Sequence, residues 1–483
     1  MNSKAVDFIK NFSYAITANF VSLFVSTLAI LILPKLIGVE EYGYWQLYLF
    51  YSSYVGLLQF GWNDGIYLIY GGKKYKELDK GLFFSQFYML VIFQLIIVAI
   101  IFSSSIIFVT DTKKIFVFEM TAISMLIANA RYMLLFILEA TNRIKKYAQI
   151  TMMDRILYCC LIIAFLVFGI KDYKLMILVD LICKLMSLFY AMYSCKDMVF
   201  RRISTFYFSF KESLKNISVG IKLMLSNIAS MLIIGVVRFG IEHSWDMSTF
   251  GKVSLSLSVS NFMMLFINAI GIIMYPILRR TDEKKLPSIY VTMRDFLMVI
   301  LFGSLIVYFP LKVVLSAWLP KYADSLIYMA LIFPMCVFEG KMALLINTYL
   351  KTLRKEKLML KINLISLSLS VMITFVTAIL FKNLNLSIAS IVILLAFRCV
   401  LAEMFLSNIL KISLYKDIVL ELTLTLIFIL AGWFINSWLA ILLYTVAYIL
   451  YLVIKRKDIT NTIKNVRLLM SARENKEMNG KFI

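Results

Sequence analysis

The sequence predicts an all-α polytopic membrane protein with about fourteen transmembrane helices, arranged as two six-span halves and a C-terminal helix pair. Three observations predict this. Hydrophobic residues fill 61% of the 483 positions and charged ones only 16%, with a mean hydropathy of +0.86. Soluble domains carry about 45–50% apolar and about 25% charged residues. Apolar runs of spanning length recur along the whole chain, and Lys and Arg gather in every second connection between them. Such a chain cannot cover its own surface in water, which excludes a cytosolic enzyme. With 6 Pro and 18 Gly, it also has no room for disordered linkers or collagen-like repeats.

A spanning helix needs about 20 mainly apolar residues. Such runs begin near Phe12, Tyr44, Leu82, Phe118, Arg155, Leu175, Ile217, Lys252, Phe296, Ser325, Leu358, Ser387, Val419 and Trp438. Met1–Lys10 is polar and the first apolar stretch continues to Pro34, so no cleavable signal peptide is expected. One set of connections holds Lys73, Lys74, Lys76 and Lys80, then Arg143, Lys145 and Lys146, then Lys196, Arg201, Arg202, Lys211 and Lys215. It continues with Arg279, Arg280, Lys284 and Lys285, with Lys351, Arg354, Lys355 and Lys357, and with Lys411 and Lys416. The alternate connections are short and poor in Lys and Arg. The positive-inside rule therefore puts both termini of this multi-pass membrane protein in the cytoplasm. No outside loop exceeds about ten residues, which weighs against an external catalytic domain.

The net charge of +22 is accounted for by these topology clusters beside anionic lipid headgroups. No base-stacking or zinc-finger pattern points to nucleic acid. Cys159, Cys160, Cys183, Cys195, Cys336 and Cys399 lie in or beside apolar runs without metal-ligand spacing, and read as small hydrophobes.

Two segments align without gaps at one offset. Asn19 matches Asn227, Ser22 matches Ser230, Gly43 matches Gly251, Leu47 matches Leu255 and Ser52 matches Ser260. This fits a duplication of six spans, as in transporters whose substrate path runs between two repeats. The expected organisation is a first half at 1–195, a cytoplasmic connection at 196–216, a second half at 217–410, helices 13 and 14 at 411–454, and a basic cytoplasmic tail at 455–483.

An ionisable residue deep in a span costs roughly 2.5–3.5 kcal/mol on insertion scales. Lys222 and Lys252 lie near span ends and can snorkel. Asp180 with Lys184, and Arg238 with Glu242, are spaced to close as i,i+4 ion pairs. Arg131 and Lys341 have no acid at i±3 or i±4. Arg131 lies eleven residues before Asn142, about 16 Å of helix and close to mid-membrane. Lys341 lies ten residues before Lys351 on the tenth span, the repeat counterpart of the fourth. Facing cations at mid-depth would make a site for an anion, with Arg398 on the twelfth span as a third. The competing reading pairs them with acids on other helices, for which Glu339 and Glu403 are available. Those two acids are also the candidates for carrying a coupling H+ or Na+, because a buried carboxylate beside a cation is tuned between desolvation and charge. Pro334, inside the tenth span, should kink the helix above Lys341.

Catalytic chemistry finds no equipment. There is no Gly-x-x-x-x-Gly-Lys-Ser/Thr loop for phosphates, and no Asp-x-Asp pair for a glycosyltransferase metal. The single histidine, His243, falls in an outside loop, which removes His-based metal sites and most nucleophile systems. No catalytic residue, metal or organic cofactor is expected.

Asn11-Phe-Ser-Tyr14, Leu33-Pro-Lys-Leu-Ile-Gly38 and Glu40-Glu-Tyr-Gly-Tyr-Trp45 resemble the amino-terminal region of bacterial polysaccharide flippases of O-antigen and capsule type. These belong to the multidrug/oligosaccharidyl-lipid/polysaccharide exporter superfamily. Gly61-Trp-Asn-Asp-Gly65, Tyr70-Gly-Gly72, Ala140-Thr-Asn-Arg143, Trp318-Leu-Pro-Lys-Tyr322 and Phe338-Glu-Gly-Lys341 extend the resemblance over most of the chain. It implies two six-helix bundles around a V-shaped central cavity, with a further helix pair alongside. It implies movement of undecaprenyl-pyrophosphate-linked oligosaccharide to the outer leaflet by alternating access. It also implies cationic cavity residues for the pyrophosphate or acidic sugars, a role that Arg131 and Lys341 fit by position. Expected partners are the lipid-linked oligosaccharide, membrane lipids, and the polysaccharide polymerase and glycosyltransferases of the same pathway. Related drug exporters couple through acids in the first half; of Asp64, Glu119, Glu139 and Asp180 here, none stands out as their counterpart. A cation-coupled multidrug antiporter and a non-transporting scaffold of an envelope-synthesis complex are the alternative functions.

Overall fold

The computed structural model describes residues 30–169, 171–279, 286–435 and 437–460, with isolated positions between 14 and 27. Most of the first expected span, the Asn11–Ser13 lead-in, Arg280, Lys284, Lys285 and the tail from 461 on lie outside the described residues. Every regular element among the described residues is helical, and each expected run from the second to the fourteenth is found as helix. The chain is a polytopic all-α membrane protein. By length and composition nine helices among the described residues can cross a membrane, and the bent pair Pro320–Ile332 and Met335–Thr352 makes a tenth.

The second span is α1 (Val39–Ser52) and α2 (Trp62–Tyr70); the third to sixth are α3 (Lys80–Phe108), α4 (Thr112–Ala140), α5 (Ile144–Val167) and α6 (Tyr173–Ser194). The seventh and eighth are α7 (Phe210–Ser244) and α8 (Met247–Arg279); the ninth is α9 (Leu286–Ser304) with α10 (Tyr308–Trp318). The tenth comprises α11 (Tyr328–Ile332), α12 (Met335–Lys341) and α13 (Asn347–Thr352). Then follow α14 (Glu356–Thr374), α15 (Leu384–Leu410), α16 (Tyr415–Phe434) and α17 (Trp438–Ile454). Several helices start where a short acceptor side chain meets free N–H groups. Asp79 accepts from Gly81 and Leu82, Asp111 from Lys113, Asp172 from Lys174 and Asn383 from Leu386.

The chain packs as two compact units. The first takes Met1–Met231 with Asp246–Ser254, and the second takes Leu232–Trp245 with Leu255–Ile483. In the first unit α4 is central: Ala122, Met125, Met133, Leu134 and Leu138 are all buried to 1% exposure or less. The second span is broken beside it. Phe60 and Gly61 take left-handed backbone, φ 52° and 82°, after a tight turn over Val55–Gln59. Carbonyls freed by such a break must be satisfied inside a membrane. Asn129 Nδ2 donates to Val55 O at 3.1 Å, and Gln94 Nε2 to Leu58 O at 3.0 Å.

In the second unit the tenth span bends by 40° between Ile332 and Met335, as Pro334 requires, since proline supplies no N–H and its ring crowds the preceding turn. A wider, π-type turn follows Lys341 at Met342–Ile346. The last two helices join an aromatic core. Phe428 of α16 meets Tyr308 and Tyr444 edge to face at 5.3 and 5.1 Å, and Tyr444 Oη donates to Phe302 O at 2.8 Å.

Candidate functional site

Two small clusters hold buried charge in the first unit. Arg131 projects from the middle of α4 and is 6% exposed. Its Nη1 lies 2.8 Å from Asp154 Oδ2 on α5 and donates to Ser187 Oγ on α6 at 3.2 Å. Ser187 Oγ passes a hydrogen bond on to Ile150 O at 3.2 Å. The Nε of Arg131 is buried without a hydrogen-bond partner. The second cluster joins α1, α4 and α6. Asp180 Oδ2 lies 2.6 Å from Lys184 Nζ, the expected i,i+4 pair, and accepts from Tyr48 Oη at 2.5 Å. Lys184 also donates to Ser124 Oγ at 3.0 Å.

The second unit carries a far larger assembly. Arg294 of α9 is fully enclosed. Its Nε lies 2.7 Å from Glu403 Oε1 of α15, its Nη2 2.6 Å from Glu421 Oε1 and its Nη1 3.3 Å from Asp417 Oδ2, both of α16. Lys341, at the end of α12, is bonded to Glu403 and lies 2.7 Å from Glu421 Oε2. Lys455, just past α17, reaches Asp417 at 2.7 Å and both Asp295 and Asp458 at 3.0 Å. Tyr290 Oη donates to Glu403 Oε1 at 3.2 Å. Burial disfavours the charge on Lys455, but its hydrogen bond to Asp417 and the carboxylates of Asp295 and Asp458 outweigh it and hold its pKa above the ordinary lysine value. Five helical segments are thereby tied by charge, and the helix pair α16–α17 is bonded to the rest of its unit. Removing one of its cations would leave a buried carboxylate uncompensated, at about 3–5 kcal/mol.

Arg398 of α15 stands apart from this network. Its Nη1 donates to Glu339 Oε1 at 2.9 Å and its Nε to Asn363 Oδ1 at 3.0 Å. Each cation singled out in the sequence thus has a carboxylate partner from another helix: Arg131 has Asp154, Lys341 has Glu403 and Glu421, and Arg398 has Glu339. Of the two coupling candidates, Glu403 is at the centre of the large network and Glu339 pairs with Arg398.

Sequence reasoning missed Asp154, Arg294, Asp295, Asp417, Glu421 and Lys455. All six sit within a few turns of a basic connection, and for Asp154, Arg294, Asp295 and Asp417 the hydropathy pattern places the end of the span too far inward. The usable signal was spacing: Asp417 and Glu421 stand at i and i+4, on one helix face. Among the described residues no group of three or more His, Cys, Asp or Glu side chains is placed to hold a metal ion.

No protein-family model matches this chain, and no curated protein matches it in sequence. Solved structures do match. The lipid II flippase MurJ, in an inward closed conformation, superimposes with a TM-score of 0.58 at 12% identity, covering 93% of this chain and 99% of its own. A multidrug resistance MATE family transporter of the MOP superfamily, in an inward-facing conformation, gives 0.57 at 13% identity over 83% and 99%. A MATE protein in the straight conformation gives 0.51 at 12% identity over 82% and 94%. The chain therefore shares the fold of the MurJ lipid II flippase and of MATE transporters.

Proposed function

We propose that this chain is a transporter of the MOP superfamily and, within it, a flippase. It moves undecaprenyl-pyrophosphate-linked oligosaccharide from the cytoplasmic to the outer leaflet of a bacterial cell membrane by alternating access. The observation that supports this most is the extent of the structural likeness. An alignment that stopped at Leu410 could not cover 93% of 483 residues, so the likeness to the lipid II flippase extends into the α16–α17 pair, whereas the 83% of the MATE alignment could be reached without it.

The chemistry supports the same reading. A pyrophosphate-sugar headgroup cannot cross hydrocarbon bare, because desolvating its charge costs tens of kcal/mol. A guanidinium fork replaces that hydration well. Arg131 keeps an Nε–H without a partner; besides the Tyr132 ring 5.5 Å from its guanidinium, its contacts are one carboxylate and one hydroxyl, which a phosphate can replace. Lys341 and Arg398 are more completely engaged. The headgroup contact is therefore assigned to Arg131, with the polyprenyl tail left in lipid.

The test follows lipid-linked oligosaccharide by leaflet in cells lacking this protein and a second flippase. Accumulation on the cytoplasmic side, relieved by wild type and by Arg131→Lys in part but not by Arg131→Ala, is the expected result. An unchanged leaflet distribution on deletion contradicts the reading and leaves drug antiport in first place.

A further inference from the structure

The large network in the second unit is not neutral. Its members are three cations, Arg294, Lys341 and Lys455, against four carboxylates: Asp295, Glu403 and Glu421, all buried, and Asp417, which is 19% exposed. Asp458 adds a fifth carboxylate, but it is 51% exposed and screened by solvent. Tyr451 and Cys399, side chains that ordinarily carry no charge at neutral pH, also lie near. Among the described residues one negative charge of the network is thus left without a cation. An unbalanced ion in such surroundings costs several kcal/mol, and a proton is the smallest species that removes it.

We propose that Glu403 and Glu421 share one exchangeable proton, making this network a proton-binding site of the second unit. Both carboxylates grip the same ammonium of Lys341 and the same guanidinium of Arg294. Two carboxylates held so close do not both stay ionised without full compensation. A second observation points to the same atom. Glu421 Oε1 sits 2.6 Å from Arg294 Nη2, yet neither finds an aligned hydrogen bond, and the side chain is 5% exposed. That oxygen keeps a lone pair free for a proton.

The site has an entry. Side-chain exposure falls from Asp458 at 51% through Asp417 at 19% to Glu421 at 5% and Glu403 at 0%. Asp417 and Glu421 are one turn apart on α16, and Lys455 bridges Asp458 to Asp417. Carboxylates spaced in this way pass a proton inward from solvent. The site joins α9, α12, α15, α16 and the end of α17, so its protonation alters the attraction that holds all five.

The proposal does not depend on what the protein carries, and its test needs no substrate. Infrared difference spectra of the purified full chain in lipid nanodiscs, taken across pH, report protonated carboxyl groups. A carboxyl band that grows as pH falls, and that Glu421→Gln or Glu403→Gln abolishes while Glu339→Gln leaves it intact, is the expected result. Lys341→Met leaves two carboxylates in excess and should double the band at neutral pH, which keeps the test open if a glutamine variant fails to fold. A spectrum without such a band at any pH overturns the proposal. So does a band that persists in both glutamine variants, or one that sodium ions erase at constant pH.

Discussion

A Cβ added to Gly251 would stand 3.0 Å from the Cα of Gly43, so α1 and α8 touch backbone to backbone at these two glycines. They are also the matching positions of the sequence repeat. Small residues are what allow such an approach between membrane helices.

Gly43→Ala should therefore be costly. Its new methyl would collide with the Met247 carbonyl, which is backbone and cannot rotate away. Overpacking of this kind costs about 1–3 kcal/mol. Thermal unfolding in nanodiscs should show Tm lowered by several degrees, while Gly56→Ala, with nothing within 4 Å of the added atom, leaves it unchanged.

The amides beside the broken second span support backbone rather than ligand. Asn129→Leu strands the Val55 carbonyl and Gln94→Leu strands that of Leu58. Each should cost about 1–3 kcal/mol, the penalty of an unmade buried hydrogen bond. Hydrogen exchange should show the loss first as faster exchange over residues 55–61.

For Arg131 and Asp154, a double-mutant cycle separates pairing from transport. Asp154→Leu alone leaves a buried guanidinium and should cost about 3–5 kcal/mol, whereas Arg131→Met with Asp154→Leu recovers most of it. The double variant should fold and fail to flip. Equal losses in the single and double variants would show that the 2.8 Å pair carries no coupling.

Lys455 fastens the end of α17 to α9 and α16 through Asp295 and Asp417. Lys455→Met should loosen the terminal pair, seen as faster hydrogen exchange over Tyr415–Ile454 with little change in α3–α6. Uniform loss of protection across both units would contradict a local role.

Much of the fold was legible because spanning helices announce themselves through uninterrupted apolar length, and Pro334 through its missing N–H. The ion network was not, for a physical reason that one rule covers. A charged residue in the first turns of a span lowers local hydropathy, so the span read from sequence begins after it. The fifth span was expected from Arg155 and starts at Ile144, which left Asp154 outside; the ninth was expected from Phe296 and starts at Leu286, which left out Arg294. Arg131 thus seemed unpartnered because Asp154 had been assigned to a loop, whereas Lys341 pairs with Glu403, the acid on another helix that the competing reading offered, and with Glu421. The acid Glu421 lay inside its expected span and was passed over for want of a visible partner, which is Arg294 from a helix far away in sequence.

The proposed function is the movement of a pyrophosphate-linked glycolipid between leaflets. The most direct measurement uses purified protein in vesicles carrying a fluorescent undecaprenyl-pyrophosphate oligosaccharide, with a membrane-impermeant quencher added outside. The account predicts that wild-type protein exposes the inner-leaflet fraction to the quencher and that Arg131→Ala does not. An inner-leaflet fraction that stays protected with correctly folded wild-type protein, at every pH and sodium gradient imposed, would contradict it.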